Sequence, residues 1–355
     1  IDTTVDTLQA TVTTSGGIFI QETSVLTIVG TGVQILAGAG AISISVTDGA
    51  LTLDAQVANN GTGNVYLAAA GASLAASDLL VNAAISAASG NISLIARRHV
   101  TFAAGANVTV AAAPGTIDIA ASAGAITQDA SSTLQTDGAN IRLVAATNIV
   151  AGVVDARTNV DRLAGDLAHQ NAWGALVLTA TSGTLTDAKA RGAAGTNLYG
   201  SSAQLTAGAG IGVLGAGVDN ALDTELSVLT AQTTTSGGIN VLEASDLTVD
   251  QVGAIRVQRV AADGTSANLD TTTQSDVTTA GNGAIVLIAA GDLMLNDGSA
   301  NNTAVSANGT GHVHLSAANL TANADILSGT GDITLLAATN LTFNATADVK
   351  TTGGD

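Results

Sequence analysis

Short bursts of alternating apolar and polar residues return about every eight residues along this chain, and every third burst repeats the same surroundings. Gly90-Asn91-Ile92-Ser93-Leu94 and Gly331-Asp332-Ile333-Thr334-Leu335 show the unit. A period of two sends successive side chains to opposite faces of a strand, so each burst reads as a half-buried β-strand. The first apolar residues of consecutive bursts are Ile92, Val100, Val108, Ile117, Ile126, Leu134, Ile141 and Ile149, and three steps add up to about 24 residues.

Taken three at a time, the bursts define three faces. Ile92, Ile117 and Ile141 share face one, Val100, Ile126 and Ile149 face two, and Val108 and Leu134 face three. Toward the start the frame runs through Ile18, Ile42 and Val65 on face one, Leu26, Leu51 and Leu74 on face two, and Val33, Val57 and Val81 on face three. Toward the end it runs through Ile285, Val313 and Ile333, then Leu293, Leu320 and Leu341, then Val305, Ile326 and Val349. Such a chain stacks equivalent strands in parallel, coil on coil, and parallel crossovers are right-handed. The expected fold is all-β: a right-handed parallel β-helix, or β-solenoid, with three-sided coils of about 24 residues.

Corners between bursts are written in Gly, Asn, Asp, Ser and Thr, as in Asn59-Asn60-Gly61-Thr62-Gly63, which tolerate tight bends. Ala pairs such as Ala68-Ala69 and Ala317-Ala318 follow the face-one strand where a crowded inner corner admits only small side chains. Aromatics are 2% and the apolar 46% is mostly Ala, Val, Leu and Ile, which suits a long thin core without large anchors. A longer echo overlies the coil: Thr13-Thr14-Ser15-Gly16-Gly17-Ile18 returns as Thr234-Thr235-Ser236-Gly237-Gly238-Ile239, an offset of 221 residues.

The beat breaks twice. Over 150–175, Val160, Leu163 and Leu167 have helical spacing, and Arg157, Arg162, His169 and the single Trp173 gather there. This predicts a helical insertion, with residues 155–168 helical, that either covers a patch of solenoid or carries a contact and recognition site on those four residues. A looser stretch covers about 187–220. Its Gly208-Ala209-Gly210-Ile211-Gly212 superficially matches part of a dinucleotide fingerprint but reads as corner glycine. The expected organisation is solenoid coils over 1–149, the insertion over 150–175, and coils again over 176–355 with irregular loops at about 187–220.

The formal charge of −18 repels phosphate backbones and anionic lipid, so no nucleic-acid partner is expected. No uninterrupted apolar run is long enough for direct membrane insertion. The lack of Cys removes disulfides and thiolate sites, and with the start at Ile1 the chain reads as a mature or excised portion of an exported protein.

No catalytic, cofactor-binding or metal residues are assigned, and an enzyme is not expected. Asp155, Asp161 and Asp166 with Arg157 and Arg162 are the densest charge mixture, which a surface helix carries naturally. His312 and His314 alternate on one strand and point the same way, which fits a two-residue metal fragment without further ligands in view but reads rather as an outward polar pair. Asp48-Gly49, Asp137-Gly138, Asp263-Gly264 and Asp297-Gly298 could lend corner oxygens to Ca²⁺, although Asp-Gly is ordinary turn chemistry. Arg97-Arg98-His99 reads as a solvated corner.

The string Gly331 to Phe343, with Gly90-Asn91-Ile92-Ser93-Leu94, resembles filamentous-haemagglutinin-like repeats of large bacterial exoproteins and adhesins, over most of the chain, with longer coils than that family's usual ones. The resemblance implies a β-helical shaft located outside the cell, on the bacterial surface. The expected role is a structural or adhesive rod, a stiff shaft or self-assembling filament subunit. It would pair with copies of itself or further modules of a longer repetitive chain, and contact surface glycans or receptors on host or neighbouring cells. The alternative is a polysaccharide-binding or polysaccharide-cleaving β-helix, which needs aromatics and acids converging on one lateral face.

Overall fold

A computed structural model describes residues 1–71, 76–165, 167, 170–190, 195–216 and 220–353. Short parallel strands joined by tight corners dominate, and they form two compact units, each a parallel β-solenoid. The first comprises Ile1–Gly174 and Arg256–Asp270, the second Ala175–Ile255 and Thr271–Asp355.

In the first unit the three faces exist as three ladders. Face one stacks Ile18, Ile42, Val65, Ile92, Ile117 and Ile141 in register. Face two stacks Leu26, Leu51, Leu79, Val100, Ile126 and Ile149. Face three stacks Val33, Val57, Ile85, Val108, Leu134 and Val154. All of these side chains are buried. Each fully buried Val, Leu or Ile contributes roughly 1.5–3 kcal/mol, and a slip of one residue would turn a whole strand's set to solvent.

One placement differs from the sequence frame. Val81 pairs with Leu53 and Phe102 on face two, and Ile85 takes the place expected for Val81 on face three. The coil from Val65 to Ile92 is longer than its neighbours, and its extra residues lie before Leu79, so counting at a fixed step lands one strand early. Leu74, expected on face two, lies outside the described residues.

The corner before face one is held by glycine for a steric reason. A Cβ on Gly63 would lie 1.9 Å from the Gly40 carbonyl oxygen, and one on Gly90 would lie 1.9 Å from that of Gly63. Coils at this corner approach backbone to backbone, and any side chain would force them apart. Asn59 closes the same corner from inside, its buried amide donating to the carbonyls of Gly40 and Gly63 at 2.9 and 3.0 Å.

The second unit repeats the arrangement. Ile239, Ile285, Val313 and Ile333 stack on face one. Leu247, Leu293, Leu320 and Leu341 form face two, and Val277, Val305, Ile326 and Val349 form face three. The stretch expected to be irregular contains the ten-residue strand Leu198–Ala207 and the short Gly210–Ile211, both paired in parallel within the unit. Gly210 and Gly212 take positive φ, as corner glycines do.

The 221-residue echo is three-dimensional. Thr3 lies opposite Glu22, and Thr224 lies opposite Glu243, in matching parallel pairs. In each copy the Thr hydroxyl donates to the Glu Oε2 at 2.7 Å. The amide of Val5, or of Leu226, and the amides of the two residues after the Glu donate as well. The next pairs, Leu8 with Ile28 and Leu229 with Val249, also correspond. The copies then diverge. Residues 29–32 separate Ile28 from Val33 in the first, whereas residues 250–276 separate Val249 from Val277 in the second. That insertion holds the antiparallel hairpin Arg256–Val260 with Ser266–Asp270.

Candidate functional site

The residues singled out in the 150–175 segment form an internal knot. A six-residue helix, Asn159–Ala164, is capped by the Thr158 side chain and ended by Gly165 at φ 63°. It is shorter than the helix predicted over 155–168, because Asp155 already ends the strand Val153–Asp155. Its apolar residues do not face the core: Val160 and Leu163 are 75% and 90% exposed. The buried group is Asp161, which accepts from Thr158 Oγ1 at 2.6 Å and from Trp173 Nε1 at 2.8 Å. Arg157 and Arg162 both grip buried Asp155, at 2.7 and 2.9 Å, and Arg162 also donates to the carbonyls of Thr136 and Arg157. Burial raises the Asp155 pKa, but its two arginine partners outweigh burial and hold it below the ordinary carboxylate value. Trp173 is 4% exposed, with the Arg157 guanidinium 6.0 Å from its ring centre. Arg157, Arg162 and Trp173 are thus brought together to close a corner of the first unit. His169 and Asp166 lie outside the described residues.

A second locus, the hairpin, lies across the outer side of face one. Its first strand crosses one coil after another: the carbonyl of Arg256 accepts from Asn140, the amide of Gln258 donates to Thr116 Oγ1 at 2.8 Å, and that of Val260 to Ser93 Oγ at 2.8 Å. Beyond it, Ser43 and Asn64 donate to the carbonyls of Ala262 and Gly264. The outward polar side chains of successive coils therefore supply the pairing that a strand laid crosswise cannot obtain from their backbones. Sequence reading missed this element, although Arg256-Val257-Gln258-Arg259-Val260, Asp263-Gly264 and the following alternation are a hairpin signature. Within the turn Asp263 accepts from the amide and hydroxyl of Thr265, and Gly264 has φ 81°.

The electrostatic centre of this junction is Asp118, whose side chain is fully buried. It accepts from Arg142 Nη1 at 2.8 Å and from Arg259 Nε at 2.6 Å. Two guanidinium groups on one carboxylate leave one positive charge in excess. The Nη2 of Arg259 is buried and makes no hydrogen bond. The rest of the Arg259 side chain is partly exposed and lines a cleft of about 460 Å³, walled also by Tyr66 and Ile95 of face one and by Val260, Ala261, Ala262, Ala267, Asn268 and Leu269 of the hairpin. Burial raises the Tyr66 phenol, while the Arg259 charge pulls it the other way.

The remaining sequence candidates are turn and surface groups. Asp297 accepts from the amides of Ser299, Asn301 and Asn302, and Asp137 accepts from that of Asn159. Among the described residues no three His, Cys, Asp or Glu converge as metal ligands. His312 sits beside Asp332 at the surface, and Arg98 pairs with Asp78 at a corner. Of the aromatics, Phe102 points into the core and Trp173 closes the insertion, while Tyr66 lies under the hairpin and the exposed Phe19 lies against its turn at Gly264.

The chain's three glutamates, Glu22, Glu225 and Glu243, all sit at the repeated cages and are buried. Burial would raise Glu22, but hydrogen bonds from Val5, Thr3 and Ser24 lower it to about 2. Glu243 is enclosed more deeply. Burial, with Glu225 beside it where the first copy has Thr4, pushes it up to about 8 against the hydrogen bonds from Thr224, Leu226 and Ser245.

These features define the class of molecule: a three-sided parallel β-solenoid with a crosswise hairpin and an internal module repeat. No protein family, curated protein or solved structure matches the chain.

Proposed function

We propose that this chain is a structural and adhesive segment of a bacterial surface exoprotein, serving as a stiff shaft or filament subunit outside the cell, without catalytic activity. The observation that carries the reading is the run of in-register inward ladders, Ile18 through Ile141 and Ile239 through Ile333, whose regularity builds stiffness and leaves chemistry to insertions. The resemblance of its repeats to filamentous-haemagglutinin-like β-helices supports the same reading. With Phe102 and Trp173 buried, few aromatics remain to line a polysaccharide-cleaving groove.

Self-association or packing against further modules belongs to the proposal. Among the described residues the strands of the coil Ile333–Thr351 pair with the preceding coil, and Leu336, Leu341, Phe343 and Val349 on it are 42–51% exposed. An exposed apolar strand edge recruits further strands. Multi-angle light scattering of the purified chain, with and without Ca²⁺, should reveal assemblies that disappear in Leu341→Lys/Phe343→Lys. A monomer at every concentration would overturn self-association, and protease shaving of intact cells that leaves the protein untouched would overturn the surface location.

A further inference from the structure

We propose that the cleft between the hairpin and face one of the first unit binds a small carboxylate carrying an apolar body. Three observations converge there. Asp118 is shared between Arg142 and Arg259, so the junction holds one uncompensated positive charge in a chain of net charge −18. The Arg259 side chain that carries this charge lines the cleft and is 39% exposed, so the pair with Asp118 covers its guanidinium only in part. Finally, the cleft next to it has the size of a small-molecule site, about 460 Å³, and its other walls are mostly aliphatic, with Ile95, Val260 and Leu269 around the Tyr66 ring.

The chemistry of the ligand follows from these walls. A carboxylate neutralises the excess charge through a charge-assisted hydrogen bond with the partly exposed Arg259 guanidinium. The hydrocarbon walls take up an apolar body, and the Tyr66 hydroxyl and Asn268 amide can bind the second carboxylate oxygen. A neutral ligand of the same shape would fill the walls and leave the excess charge uncompensated. A phosphate-sized anion without a hydrocarbon part would leave the walls empty.

The test uses the full chain, with 3-phenylpropanoate and its neutral isostere 3-phenylpropanamide followed by saturation-transfer NMR and calorimetry. The expected result is binding of the carboxylate at least about tenfold tighter than the amide, a ratio worth one charge-assisted hydrogen bond. Arg259→Gln should abolish that preference. Ala267→Leu, opposite Arg259 in the hairpin register, should fill the cleft and remove binding with the Arg259–Asp118 pair intact. Arg256→Gln, which breaks only the exposed pair with Asp270, should change nothing. Equal binding of acid and amide, undiminished binding in Arg259→Gln or Ala267→Leu, or no carboxylate binding at millimolar concentration would each overturn the assignment.

Discussion

Replacing Glu243 with Gln should make the second unit more stable at neutral pH and flatten its pH dependence. Glu243 is fully buried and titrates at about 8, against an ordinary value of 4.5. Between those values the folded state keeps a proton that the unfolded chain has released, so stability is fully present below pH 4.5 and declines as pH rises toward 8. The slope from one such group is about 1.4 kcal/mol per pH unit, which makes the loss by pH 7 on the order of 3 kcal/mol. Gln has nearly the same shape and can keep its oxygen toward the amides of Leu226, Ala244 and Ser245 with its NH₂ toward Thr224, so the cage survives without the titration. The assay is urea unfolding followed by circular dichroism from pH 5 to 8, read as the difference between wild type and variant. Glu22→Gln serves as the opposite case: its pKa is lowered to about 2, so its contribution is present above pH 4.5 and lost as pH falls toward 2. It should destabilise at pH 7 and leave the slope above pH 5 unchanged. If Glu243→Gln keeps the wild-type slope between pH 5 and 8, the account of that cage is wrong.

Other expectations concern the ladders and corners. Ile117→Asp puts an unpaired charge into a stack with no exposure and should cost several kcal/mol, read as loss of the first unit's unfolding transition; wild-type stability would contradict the inward ladder. Gly90→Ala places a methyl 1.9 Å from a backbone oxygen and should destabilise by about 1–3 kcal/mol, measurable as faster proteolysis, whereas Gly105→Ala, with open space around it, should be penalised only through its positive φ. Trp173→Phe removes the indole donor to buried Asp161 and should cost about 1–3 kcal/mol; an unchanged urea midpoint would mean that this hydrogen bond does not hold the corner.

The fold was legible in the sequence because its rule is local. Alternation sets which side chains point inward, and an eight-residue beat taken three at a time sets which strands stack, so the ladder from Ile92 to Ile141 and the one from Ile285 to Ile333 follow from counting. Counting failed where a coil changed length, as at Val81 and Ile85, because a fixed step carries no information about an extra residue in a corner. The 221-residue echo was visible as words, but that its glutamates occupy twin cages with opposite titration was not. That difference rests on depth of enclosure and on Glu225 standing where the first copy has Thr4.

The charge pattern of the insertion left two readings open, a cover over a patch of solenoid or a contact site, and the partners of Arg157, Arg162 and Trp173, buried Asp155 and Asp161, were not legible because they are set by how the segment folds back on itself. Sequence alone determined the strand period, the three inward faces and the glycine-bearing corners, since each depends on neighbours within one coil. Only the tertiary structure decided the cleft, because Asp118, Arg142, Tyr66 and Arg259 come from separate coils and a distant insertion. They meet only when parallel stacking aligns the outward rows of face one and the hairpin crosses them.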